Sequence, residues 1–161
     1  MSCCTKKIFA LALTGLMFFS VLSVLSWGAE GEPIGSITAI EGEGYIFRKG
    51  NIAALQAVLG SPIYLYDHIL TEEDNRVQIL FQDESLLNLA ENTYIQITEF
   101  IYAPEENRRS VLIRILMGKV RGIVGRCSTR AGSSWKIITP TGITEVKGGH
   151  FVVDAAAGRI Q

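Results

Sequence analysis

The residues best suited to chemistry in this chain are two histidines and one thiol, His68, His150 and Cys127. A nucleophilic cysteine needs a histidine within hydrogen-bond reach, and the spacing places neither histidine beside Cys127. A zinc site needs histidines or cysteines at short, paired spacings, and no such pair accompanies His68 or His150, so both read as ordinary strand residues. Asp67, directly before His68, reads as a turn residue rather than an acid or base. Asp83-Glu84 and Glu72-Glu73-Asp74 could attract calcium from neighbouring loops, but the regularly spaced oxygens of a calcium loop are absent. They read as solvated hairpin turns, where acidic residues are common. Gly118-Lys119 and Lys147-Gly148-Gly149 lack the spacing of a phosphate-cradling loop. Trp135 and Tyr45 read as core or sheet-face aromatics rather than sugar platforms. The expectation is a chain with no catalytic residue, no metal and no cofactor, hence not an enzyme.

The elements that must carry these residues alternate with period two. Val77, Ile79 and Phe81 share one face of Arg76-Val77-Gln78-Ile79-Leu80-Phe81-Gln82, and Ile95 and Ile97 share one face of Tyr94 to Thr98. Val111, Ile113 and Ile115 repeat the pattern, with Leu112, Arg114 and Leu116 opposite. Trp135 to Thr139, Ile143 to Lys147 and Phe151 to Asp154 are further β-branched or aromatic runs. Such alternation puts one face on a core and the other toward water. Turn residues punctuate the runs at Lys49-Gly50-Asn51, Glu72 to Asn75 and Gln82 to Ser85. Ala103 to Asn107 reads as a longer surface loop, and Arg126 to Ser134 as a polar, glycine-containing one. Only Asn51 to Leu59 suggests a helical turn, through Ile52, Leu55 and Leu59, and it is short for a helix. The fold class predicted is all-β: a rolled or solenoid-like stack of short strands, with a two-sheet β-sandwich as the alternative.

The start of the chain has a different composition. Lys6 and Lys7 precede an uncharged apolar run, Ile8 to Leu25, and the triplet Ser26-Trp27-Gly28 follows it. This order of positive, apolar and small residues reads as a signal peptide over 1–28, cleaved after Gly28. An uncleaved N-terminal membrane anchor is the alternative, since at 1.5 Å rise per residue the run spans about 27 Å. On either reading residues 29–161 lie outside the cytoplasm, periplasmic or secreted, or anchored at the inner membrane facing the periplasm. With Cys3 and Cys4 inside that leader, one cysteine is left, so an intrachain disulfide is not expected. The remaining residues have the size of one domain.

Charge is uneven. From Ala29 to Ser110 there are 5 basic and 14 acidic residues; from Val111 to Gln161 there are 8 basic and 2 acidic. The expectation is that positive strands lie beside negative ones and neutralise each other on the solvent face. Nucleic acid is not expected as a partner, since basic residues are not clustered with aromatics.

The landmarks also fall in a recognisable order. Gly35-Ser36-Ile37 and Gly44 to Gly50 come first. Ser61-Pro62-Ile63-Tyr64-Leu65-Tyr66-Asp67-His68-Ile69-Leu70-Thr71 and Val77 to Leu89 follow, then Leu116-Met117-Gly118-Lys119-Val120-Arg121. Ile138-Thr139-Pro140-Thr141-Gly142 and Gly148-Gly149-His150-Phe151-Val152-Val153 close the series. Together these resemble the FecR domain, the extracytoplasmic module of the ferric citrate regulator. The resemblance marks Asp67, Thr71, Asp83, Gly118, Thr139, Pro140, Gly148 and Phe151 as structural motif residues. It also shows departures: the family's glycine before the first aspartate is Tyr66 here, its aspartate-glycine-serine hairpin is Asp83-Glu84-Ser85, and its glycine-threonine is Gly148-Gly149. Two turns thus lose a permissive residue, and local geometry is expected to differ there. The seven residues before Ile8 are too few for the cytoplasmic segment through which the regulators contact a sigma factor, so that contact is not carried over.

The resemblance implies a non-catalytic extracytoplasmic interaction module in envelope sensing or signalling, whose partner is a protein or envelope polymer. The alternative is a structural or assembly component of the cell envelope. Such a component would self-associate through a strand edge left open where the chain, read as a single β domain cut short at its C-terminal end, stops at Gln161.

Overall fold

The computed structural model describes residues 31–125, 133–155 and 159–160. The proposed leader and its cleavage site, Cys127 and most of the polar loop after Gly125 lie outside them. No described helix is long and apolar enough to cross a membrane.

Alternation decides the elements. The strands are β1 (Gly35–Glu41), β2 (Gly44–Phe47), β3 (Ala54–Gln56), β4 (Pro62–Ile63), β5 (His68–Thr71), β6 (Arg76–Phe81) and β7 (Leu86–Leu89). They continue as β8 (Thr93–Ala103), β9 (Arg108–Met117), β10 (Lys119–Val124), β11 (Ser133–Thr139), β12 (Gly142–Glu145), β13 (Gly149–Asp154) and β14 (Arg159–Ile160). They form two seven-stranded sheets. The first has the order β14-β13-β10-β7-β6-β1-β4, the second β12-β11-β9-β8-β5-β2-β3. The all-β class predicted from the alternation is thus the observed one, in its two-sheet form. Within it the chain passes repeatedly from one sheet to the other. The path from β9 through β10 to β11 returns beside β9 in parallel, pairing Trp135 with Val111 and Ile137 with Ile113, one local turn of the rolled arrangement.

The core lies between the sheets. Ile37, Val77, Ile79, Phe81, Leu87, Val120, Phe151 and Val153 come from the first, and Ile46, Ile69, Ile95, Ile97, Ile113, Ile115, Trp135 and Ile137 from the second; all are buried in one cluster. Burying each such side chain contributes about 1.5–3 kcal/mol. In β8 a bulge at Thr98 breaks the register between Ile97 and Glu99. It inserts one residue into the alternation, so Phe100 turns inward and stacks on Phe81 at 5.7 Å. Trp135 meets Phe151 at 5.3 Å across the sheets.

Two expectations are corrected, and a third is met in part. Asn51 to Leu59 is not helical: Ala54–Gln56 pairs antiparallel with β2, Leu55 opposite Ile46, because the open side of that sheet offers backbone partners that a helix of nine residues cannot match. The loop after β8 is a short 3₁₀ turn, Pro104–Glu106, closed by Asn107 in a left-handed conformation at φ 52°. Charge neutralises in part between neighbouring strands, Arg76 of β6 with Glu41 of β1 and Lys119 of β10 with Asp154 of β13, both at 3.3 Å. Strands β1 to β8 nevertheless occupy one half of both sheets and β9 to β14 the other, so the uneven charge along the chain becomes uneven charge across the described residues.

Candidate functional site

The motif residues hold the fold at separate points rather than meeting in one place. Asp83 was expected in a solvated turn, but it is buried and ion-paired with Arg109 of β9 in the opposite sheet. Arg109 Nε donates to Asp83 Oδ2 at 2.6 Å, and its Nη2 donates to the Asp83 carbonyl at 3.2 Å and to Ser85 Oγ at 2.5 Å. Asp83 Oδ1 accepts from the Ser85 amide at 3.0 Å. A carboxylate in water would leave that guanidinium unpaired in the core, so burial of one requires burial of the other. Glu84, between them, is exposed and sits at φ 63°.

A second polar knot joins Thr71, Thr93 and Gly118. Thr71 Oγ1 donates to the Ala90 carbonyl at 2.5 Å, and the Thr93 amide donates to Thr71 Oγ1 at 3.1 Å. The Lys119 amide donates to Thr93 Oγ1 at 3.1 Å. Gly118 has φ 89°, and a Cβ there would stand 2.5 Å from Asn92 O. Only glycine brings the two strands together here. Asp67 Oδ2 accepts from the Tyr64 amide at 2.9 Å, with Tyr66 at φ 71° between them. Thr139 and Pro140 open the two-residue turn between β11 and β12, where Thr139 Oγ1 donates to the Gly142 carbonyl at 3.1 Å. Gly148 and Gly149 both have positive φ at the entry to β13. The Phe151 ring packs against Gly122, whose absent Cβ would fall 2.1 Å from its Cζ.

The two histidines do not converge: His68 is on β5 of the second sheet and His150 on β13 of the first. Cys127 lies outside the described residues. Among the described residues no group of three or more His, Cys, Asp or Glu is arranged to hold a metal ion.

What the structure does assemble is a groove of about 720 Å³ on the outer face of the second sheet. Its floor runs across three strands, with Phe47 of β2 opposite His68 of β5, and His68 opposite Gln96 of β8. Tyr94 stacks on His68 at 5.4 Å with the rings 27° apart. The wall is the turn after β2, Arg48 to Ile52, closed by the Asn51 amide donating to the Arg48 carbonyl at 3.0 Å. Two cations on this turn are held over tyrosines: Arg48 stands 4.3 Å from the Tyr64 ring centre and Lys49 Nζ 4.3 Å from that of Tyr66. Each such contact is worth about 0.5–1 kcal/mol at an exposed site, and the exposed Lys49 ammonium is thereby oriented at the edge of the groove. Ile52 at the rim is 97% exposed. A flat aromatic floor beside oriented positive charge can receive an apolar side chain and a carboxylate together.

Sequence reasoning did not select Phe47, Lys49, Tyr66, Tyr94 or Gln96. Their signal is aromatic residues at the outward positions of strands, where alternation calls for polar ones: Tyr45, Phe47 and Tyr94 all occupy that half of the pattern.

A family model described as FecR protein matches residues 67–161. The matched stretch runs from β5 to the last strand, so it includes the floor residues His68, Tyr94 and Gln96, while Phe47 and the wall from Arg48 to Ile52 precede it. No curated protein and no solved structure matches the chain.

Proposed function

This chain belongs to the FecR family, and from that premise we propose that it is a non-catalytic interaction module. It works outside the cytoplasm, in envelope sensing or signalling, and its partner is a protein. The aromatic and cationic groove on the outer face of the second sheet carries this reading. A sheet face facing only water would place polar residues at Phe47 and Tyr94, whereas this one keeps an aromatic floor of Phe47, His68 and Tyr94 with Lys49 at its edge. Location outside the cytoplasm rests on the character of the family's domains and on the apolar leader Ile8 to Leu25. The non-catalytic reading rests on the separation of His68 from His150 and on the structural work done by Asp67 and Asp83.

The partner we propose presents a carboxylate and an apolar side chain to the groove. The test is retention of a partner from detergent-solubilised envelope by the immobilised full chain. The parent and an Asn88→Ala control on the first sheet should retain the same protein. The double substitution Lys49→Glu with Tyr94→Ala should lose it. Equal retention by all three would refute the groove as the contact surface.

A further inference from the structure

We propose that this protein assembles head to tail with further copies of itself, the basic end of one copy docking on the acidic end of the next and the second sheet continuing across the contact. The proposal goes beyond the partner reading above and stands without it.

Strand order carries the argument. Between Asn107 and Arg108 the chain turns from β8 to its neighbour β9 at the middle of the second sheet and so crosses from one half of the sandwich to the other. From Gly31 to Asn107, the segment that forms β1 to β8, there are three basic residues against thirteen acidic ones; among the described residues from Arg108 onward, which form β9 to β14, there are eight basic against two acidic, and one charge of each kind is taken up in the buried Arg109–Asp83 pair. The two sheets are ordered so that these segments do not interleave. Two copies meeting acidic end to acidic end, or basic end to basic end, repel; acidic end to basic end attract, and complementary potentials of this kind set orientation.

The strand edges at the two ends fit that orientation. The second sheet ends on β3 at the acidic end and on β12 at the basic end. Natural edge strands are blunted by charge, proline or bulges. In the first sheet the edge strand β4 begins with Pro62, which cannot donate to a further ladder. In the second sheet β3 has no such guard: Asn51 to Leu59 contains neither charge nor proline. All three β3 residues are exposed, and the stretch presents Ile52, Leu55, Val58 and Leu59 at 97, 39, 56 and 67% exposure. At the other end β12 presents Ile143 at 70% exposure. The strands have three and four residues, so one can add to the other along its length. A contact between unlike surfaces leaves one free end of each kind, so assembly continues as an open chain of copies.

The test uses two variants of the full chain in a non-ionic detergent, followed by sedimentation velocity. Leu55→Lys blocks the acidic end and Ile143→Lys the basic end; both residues are exposed, and Leu59→Lys serves if the first variant fails to fold. The parent should form species larger than a dimer, more weakly as salt rises from about 0.05 to 0.5 M and the screening length shortens. Each variant alone should be monomeric. Mixed in equal amounts, they should form a dimer and nothing larger, because each supplies the end that the other lacks. A contact between two β3 edges would survive in Ile143→Lys alone as a homodimer, be lost in Leu55→Lys, and give no heterodimer on mixing. That result, a monomeric parent, or variants that assemble like the parent would each overturn the proposal.

Discussion

Asp83 and Arg109 hold the two sheets together by a fully desolvated ion pair, and such pairs are felt most when half of one is removed. Asp83→Ala should lower unfolding free energy by about 3–5 kcal/mol in urea titration, because it strands a buried guanidinium. Replacing both, as Asp83→Leu with Arg109→Met, should recover most of that loss. Arg109 was legible in principle: it falls in phase with Val111, Ile113 and Ile115 on the inward face of β9, and a charge in that phase needs a buried partner. The turns offer the opposite case. Tyr66 and Glu84 stand where the family has glycine, and the expectation was altered geometry. The backbone has positive φ at both, the region glycine favours, and the neighbouring hydrogen bonds to Asp67 and Asp83 hold it there against the side-chain penalty. Glu84→Gly should therefore raise stability by about 1 kcal/mol, and Tyr66→Gly by less, since it also loses the Lys49 contact. Tyr45 donates to Glu43 Oε2 at 2.8 Å, and this hydrogen bond, with the charge of Glu43, lifts its phenol above the usual range. A raised phenol stabilises the fold below its unfolded value of about 10 and loses that contribution as pH rises through the folded value. Ultraviolet titration should show that Glu43→Gln lowers the pH at which Tyr45 ionises.

At the scale of elements, the strands were legible because each long one keeps strict alternation, whereas their partners were not, since pairing joins residues far apart in the chain. Nothing near β9 announces that β11 will lie beside it in parallel. The error at Asn51 to Leu59 has the same origin: Ile52, Leu55 and Leu59 fit a helical spacing, and only the unfilled side of β2 decides for a strand. Contacts between elements turn on two glycines. Gly118→Ala should cost roughly 2 kcal/mol or more, from positive φ and overlap with the β8 backbone. Gly122→Ala should cost about 1–3 kcal/mol by pushing Phe151 off β10 and toward Trp135. Thermal unfolding followed by tryptophan fluorescence reports both.

At the scale of the whole molecule, the sequence showed that charge was uneven but not that it would be sorted in space; that follows from strand order alone. Family resemblance, carried by turn and strand motifs, pointed to structural residues and away from the groove, whose wall precedes the matched stretch. The central claim is that this FecR-family chain acts by contact through the outer face of its second sheet. A photo-crosslinking residue placed in turn at Phe47, Gln96, Gln78 and Asn88, in cells expressing the full chain, tests it most directly. The account predicts a single protein adduct from Phe47 and Gln96 that Lys49→Glu abolishes, and none from Gln78 or Asn88 on the first sheet. Equal labelling from both sheets, or adducts from the first sheet alone, would contradict it.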